Sequence, residues 1–247
     1  FKDPEDFLRE AVHACRRSIP APSALVLNFP SNPTAQVVDL DFYKEAVRIA
    51  KENDLVLISD LAYSEIYFDG NPPPSILEVE GAKDVAVEFT SMSKTYSMPG
   101  WRMGFAAGSS RLVDALKRVK SYLDYGAFTP IQIAAVAALD GPQDHVVEAR
   151  EIYKKRRDVL VESFGRAGFD IPSPPATMFA WAPIPERFAH LGSVEFAKKL
   201  LEETDVAVAP GLGFGERGDG HVRLAVVENE QRIRQAARAL KGFFAQG

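Results

Sequence analysis

An amphipathic helical stretch that runs directly into an apolar strand constrains the fold of this chain more than any other feature. Over residues 39–54, Phe42, Ala46, Val47, Ile49 and Ala50 recur at the spacing of one helix face, with charges on the other. Leu55-Val-Leu-Ile-Ser59 follows without a break and reads as a buried strand. A similar run, Ala24 to Asn28, precedes the helix, and Val85-Ala-Val-Glu-Phe89 comes after it. Strands of this kind alternating with helices indicate an α/β fold. In open α/β sheets, ligands collect beyond the carboxyl ends of the strands. The residues just past each run are therefore where chemistry is expected.

Each run ends in something other than a plain turn. Leu55–Ser59 delivers Asp60 and then Leu-Ala-Tyr63. A carboxylate there is expensive to desolvate unless a partner holds it, although a helix cap would explain it equally simply. Ala24–Asn28 runs into Phe29-Pro-Ser-Asn-Pro-Thr-Ala35, which by backbone preference alone is a turn. Val85–Phe89 leads into the stretch from Thr90 to Gly104, T-S-M-S-K-T-Y-S-M-P-G-W-R-M-G, which predicts a loop carrying Lys94. An isolated lysine in a loop is ordinarily a solvated charge. Here Ser91, Ser93 and Thr95 bring hydroxyls, Gly100 and Gly104 let the backbone approach a ligand, and Arg102 adds a fixed planar cation. That set suits a phosphate beside a reactive amine. Further on, His221-Val-Arg-Leu-Ala-Val-Val sets Arg223 inside an apolar strand, where a carboxylate partner is expected, either a structural ion pair or a ligand.

The segment S-M-S-K-T-Y-S-M-P-G-W-R-M-G resembles the Schiff-base segment of class I/II aminotransferases, pyridoxal phosphate (PLP) enzymes of fold type I. N-P-T-A, D-L-A-Y and Arg223 occur in the family's order, so the resemblance covers essentially the whole chain. P-S-N-P-T-A, D-L-A-Y, D-Y-G-x-F-T-P and P-G-x-G-F-G bring it closest to bacterial glutamate-pyruvate (alanine) transaminases, with LL-diaminopimelate aminotransferases next.

The resemblance implies a role for each position. Lys94 would carry the cofactor and shuttle the proton. Ser91 and Arg102 would contact its phosphate, and Asp60 would pair with its ring nitrogen. Tyr63 and Asn32 would reach its phenolic oxygen, and Asn32 with Arg223 would hold the substrate carboxylate. It also implies part of a large, mostly parallel-sheet PLP domain over residues 1–142, followed by a joining helix and a small α+β domain over 143–247. Family chains carry a large portion before the point that matches here, so this is expected to be the C-terminal part of a longer chain that acts as a homodimer. The implied reaction is ping-pong transfer of an amino group between an amino acid and a 2-oxo acid. The stretch from Asp124 to Pro130, which resembles a partner-subunit segment lining the pocket, holds no Arg or Lys, which points to a small neutral substrate such as alanine. A PLP-dependent carbon-sulfur lyase shares the same cofactor residues, and an aminotransferase-like effector domain of a transcription regulator is the alternative from another class.

Composition narrows the rest. A net charge of -5 with no basic block disfavours a nucleic-acid surface. No apolar run approaches the roughly 18 residues of a membrane helix. A single cysteine, Cys15, cannot form an internal disulfide, and a cytoplasmic setting is the expectation. His13, His145, His190 and His221 are scattered without pair spacing, and no metal site is expected.

Overall fold

The computed structural model describes residues 4–245. It divides into two compact units, the first comprising the chain up to Pro30 together with Val37–Val146, the second Ser31–Gln36 together with Val147–Gly247.

The first unit is built on a four-stranded sheet of β1 (Ala24–Asn28), β2 (Val56–Asp60), β3 (Ala86–Ser91) and β4 (Gly104–Gly108), in that order. The first three strands are parallel and β4 is antiparallel to β3. A sheet edge can close this way because β4 opens on glycine: a Cβ on Gly104 would stand 2.6 Å from the Thr90 carbonyl oxygen across the ladder. Helix α1 (Pro4–Arg17) precedes the sheet, and α2 (Leu40–Glu52) joins β1 to β2. Asp39 caps α2, its carboxylate accepting from the Phe42 N–H at 2.9 Å. The helix buries Phe42, Tyr43, Ala46, Val47, Ile49 and Ala50 against Leu27 and Leu57 of the strands. Phe7 of α1, Phe29 and Phe42 complete the cluster, with Phe29 and Phe42 edge to face at 5.3 Å.

Beneath the sheet lies a buried carboxylate. Glu88 of β3 faces Ser59 of β2 in register. It accepts from the Ser59 hydroxyl at 3.1 Å, the Ser75 hydroxyl at 2.6 Å and the Ile76 N–H at 3.1 Å. Ser75 opens a 3-10 turn, Ile76–Glu78, through a capping box with Glu78, so the carboxylate ties the loop before β3 to the sheet. Burial, helped by the charge of Glu88, pushes the Tyr43 phenol above its ordinary range.

After β3 come α3 (Met92–Thr95), β4, α4 (Ser110–Leu123), α5 (Thr129–Asp140) and the first residues of α6 (Asp144–Arg166). Val26, on the sheet face away from α2, is 58% exposed. Helix α5 is apolar all round, yet Ala135 is its one buried residue, and Ile133, Val136 and Leu139 face solvent. Such a helix is ordinarily an interior one.

The second unit holds most of α6, an antiparallel sheet ordered β5 (Phe179–Pro183), β7 (His221–Ala225), β6 (Ala209–Pro210), and helices α7 (Gly192–Thr204) and α8 (Glu230–Ala245). Phe164, Phe169, Phe188, Phe196, Phe243 and Phe244 form its core, Phe188 stacking on Phe243 at 4.9 Å. The long connection from β6 to β7 is pinned at its ends. Asp219 accepts from both the N–H and the hydroxyl of Ser193, each at 2.7 Å, and that hydroxyl accepts from the Leu212 N–H at 3.0 Å. Gly211 and Gly218 pass too closely for either to carry a Cβ.

Two local expectations are corrected. Lys94 lies on a one-turn helix rather than in a loop, because Ser91 supplies an N-cap for it. Strand β2 takes in Asp60 and begins one residue later than the apolar run. Strand β6 is only Ala209–Pro210, at the sheet's edge, where Pro210 needs no N–H for the ladder.

Candidate active site

In the first unit, β1 and β2 end level, Asn28 opposite Asp60, while β3, whose Phe89 pairs with Asp60, runs two residues further to Ser91. The Leu61 N–H bonds the Phe89 carbonyl at 2.9 Å, carrying the pairing one residue past Asp60 before the chain turns. The Asn28 amide donates to the Asp60 carbonyl at 3.3 Å, and the Asp60 carboxylate accepts from the Ala62 N–H at 3.2 Å. A cavity of about 360 Å³ opens here, lined by Val26, Ile58, Asp60, Ala62, Phe89, Thr90 and Ser91. The larger surface cavity, about 1010 Å³, lies between α1 and α2 and contains none of the expected residues.

Lys94 and Tyr63 stand together. Tyr63, buried in the turn after β2, presents its ring to the Lys94 ammonium at 5.8 Å from the centroid. Helix α3 is held at its start by the Ser91 hydroxyl, which accepts from the Ser93 N–H at 3.2 Å, and by the Met92 N–H on the Met103 carbonyl at 3.1 Å. Met92 is fully buried, so the turn carrying Lys94 is plugged into the unit from below. Arg102 takes a left-handed backbone (φ 51°) and its exposed guanidinium donates to the Pro99 carbonyl at 2.9 Å, bracing its own loop. Asp60 and Ser91 share one cavity wall.

In the second unit, the Arg223 guanidinium donates to the Asn32 side-chain oxygen at 2.8 Å. It lies over the Phe179 ring at 4.2 Å and the Phe214 ring at 4.8 Å. An amide oxygen and two aromatic rings thus stand among the groups around the guanidinium. The bond also fixes the Asn32 amide, with its oxygen committed to Arg223 and its nitrogen turned the other way. Phe214 rests edge-on against Trp181, which stacks on His221 at 5.2 Å. Burial depresses the imidazole's proton affinity.

Several of these neighbours escaped the sequence reading. Thr90 was lost among four hydroxyl residues within six positions. Phe179 and Phe214 carry no sequence signal that sets them apart from ordinary core and loop aromatics.

The residues of the first unit fit a phosphorylated pyridine cofactor. The Thr90 hydroxyl is buried with no hydrogen-bond partner among the described residues. Beside it stand a carboxylate for a ring nitrogen, a hydroxyl for a phosphate and a cavity of small-molecule size. Among the described residues no cluster of three or more His, Cys, Asp or Glu is placed to hold a metal.

Comparison with known proteins identifies the family. The chain is 68% identical to AatC of Rhizobium meliloti (strain 1021) over 241 residues, 98% of this chain and 60% of that protein. It is 54% identical to the glutamate-pyruvate aminotransferase AlaC of Escherichia coli (strain K12) over 239 residues, 97% of this chain and 58% of that one. The fold matches substrate-bound BacF from Bacillus subtilis with a TM-score of 0.86 at 37% identity, over 90% of this chain and 56% of BacF. The chain thus spans about three fifths of the length of these relatives. Fold type I of the PLP-dependent transferases is shared with the structural neighbours. A family model for aminotransferase class I and II matches residues 3–240, and with a cavity and donor set suited to PLP, the family's cofactor, the chain belongs to the class I and II aminotransferases.

Proposed function

We propose that the full-length protein transfers amino groups between an amino acid and a 2-oxo acid, with alanine and glutamate as the preferred donors. When bound, PLP supplies the electron sink that makes a proton on the substrate's Cα removable. The observation that carries the reading is the arrangement at the end of β2: Asp60 opens into the cavity, and Tyr63, three residues on, stands against Lys94.

Each residue then has a task. The Asp60 carboxylate holds a proton on a heteroaromatic ring nitrogen by charge-assisted hydrogen bonding. The Tyr63 hydroxyl and the Asn32 amide nitrogen donate to an anionic ring oxygen. The Ser91 and Thr90 hydroxyls donate to phosphate oxygens, with Arg102 adding charge. Lys94 moves the proton, taking it from Cα as a general base and returning it two bonds away, across the nitrogen, as a general acid. Arg223 grips the α-carboxylate through two parallel N–H bonds. The first unit with the rest of the parent's large domain would bind the cofactor, with residues 143–247 forming the joining helix and small domain. We propose a cytoplasmic homodimer that does not act on nucleic acid. No helix among the described residues is long and apolar enough to cross a membrane. Relatives named as aminotransferases favour transfer over carbon-sulfur cleavage or a regulatory effector domain.

The test is single-turnover amino-group transfer by the full-length protein with PLP, across a panel of amino acids and 2-oxo acids. Without an acceptor alanine should yield at most one pyruvate per active site, turnover should continue only when 2-oxoglutarate or another acceptor regenerates the enzyme, and Lys94→Ala should abolish both transfer and the visible absorbance of lysine-bound cofactor. Continuous pyruvate release from a sulfur amino acid without any acceptor would overturn the proposal.

A further inference from the structure

Lys94 owes its place to a helix of four residues, too short to persist by its own hydrogen bonding. Its start is capped by Ser91 and plugged by Met92. Its end is held by Tyr96, whose N–H closes on the Met92 carbonyl at 3.1 Å. The Tyr96 side chain reaches much further. Its hydroxyl donates to the Gln143 side-chain oxygen at 2.9 Å, across 47 positions of sequence.

Gln143 is itself fixed. Its side-chain nitrogen donates to the carbonyls of Ala138 at 3.0 Å, Leu139 at 3.3 Å and Gly141 at 2.7 Å, satisfying the open end of α5. Those carbonyls can only accept, so the amide nitrogen must face them, and the oxygen is left for the phenol. Its backbone carbonyl takes the Val146 N–H at 2.9 Å, in the first turn of α6. The Tyr96 ring also lies 5.6 Å from that of His145. Burial, and then the charge of Glu65, raise the proton affinity of the phenol and keep it a donor.

We propose that Tyr96 and Gln143 are positioning residues for Lys94: their hydrogen bond ties the lysine-bearing turn to the α5–α6 junction and holds its amine at a fixed place beside Tyr63. The inference rests on the proposed role of Lys94 and deepens it. A residue of purely structural value would stabilise the unit without changing how Lys94 meets its ligand.

The test uses the full-length protein with Tyr96→Phe, Gln143→Leu and the double variant. Cofactor release is followed by loss of the lysine-bound absorbance on dilution into a PLP scavenger. In parallel, reductive methylation of Lys94 in the cofactor-free protein is followed by peptide mass spectrometry, together with the thermal midpoint of each variant. Losing one neutral hydrogen bond should speed cofactor release by about three- to tenfold and change the Lys94 methylation rate measurably, with little change of midpoint for Tyr96→Phe. Gln143→Leu should also lower the midpoint, because it uncovers the carbonyls of α5. In the double variant the effect on release should not exceed that of Gln143→Leu alone, since both remove the same bond. Release within twofold of wild type and unchanged methylation in Tyr96→Phe would overturn the proposal, as would a lowered midpoint with neither readout moved. A wild-type protein that shows no lysine-bound absorbance would refute the proposed function instead, and the methylation arm would still decide the positioning role.

Discussion

Replacing Glu88 tests whether the buried carboxylate is what locks β2, β3 and the loop before β3 together. In Glu88→Ala three donors lose their acceptor at once: the Ser59 hydroxyl, the Ser75 hydroxyl and the Ile76 N–H. The N–H cannot rotate, and leaving it unmet in the interior costs about 1–3 kcal/mol, while each hydroxyl can turn and loses about 1 kcal/mol. The sum, about 3–5 kcal/mol, is a large share of the stability of an ordinary domain. Glu88→Gln should cost less, about 1–2 kcal/mol. Its oxygen can still serve Ser59 and Ile76, which share one carboxylate oxygen, while its amide nitrogen turns to Ser75, whose hydroxyl can accept. Urea unfolding in a Trp181→Phe background makes Trp101 the reporter of the first unit alone. A Glu88→Ala variant within about 1 kcal/mol of its parent would refute the reasoning, because the three bonds would then have been contributing almost nothing.

Two further substitutions test other features. Gly104→Ala should destabilise the first unit by about 1–3 kcal/mol in the same urea assay, because the new methyl meets the Thr90 carbonyl oxygen and forces β4 off β3. In the second unit, Ser193 holds the Asp219 carboxyl below its usual range, and burial does the same for the His221 imidazole. Both groups bind protons more tightly when unfolded, so stability should be full above the unfolded values. As pH falls, His221 should begin to withdraw its share just below 6.5 and Asp219 below 3.8, each loss completing as pH passes the depressed folded value. Unfolding of His221→Phe followed by Trp181 fluorescence should lack the first of these declines, and Asp219→Asn the second; unchanged profiles would contradict the assignment.

The parts of the fold visible in the sequence are those set by local patterning. Helix α2 was legible because its apolar spacing and its Asp39 cap agree with its burial. Strand β1 was legible because a short apolar run between turn residues has little else to become. Lys94's helix was not, since four residues, three of them polar, carry no period, and its existence depends on Ser91, Met92 and Tyr96 finding partners elsewhere. The Asp60 and Tyr63 readings came from chain order and resemblance, whereas the proximity of Tyr63 to Lys94, about thirty positions on, needed the parallel β2–β3 register. Arg223 shows the limit most clearly. An arginine in an apolar strand announces that something holds it, but an amide from residue 32 and two rings 44 and 9 positions away cannot be deduced from spacing.

Phe179 and Phe214 both lie over the Arg223 guanidinium. If Arg223 grips a substrate carboxylate as proposed, an anion arriving there would be selected by shape as well as charge. A flat, trigonal group would slide in edge-first and engage two N–H bonds at once, whereas a tetrahedral sulfonate or phosphonate would press one oxygen out of plane towards an aromatic face. In that role the rings would serve as a slot gauge, passing carboxylates and turning away their bulkier isosteres.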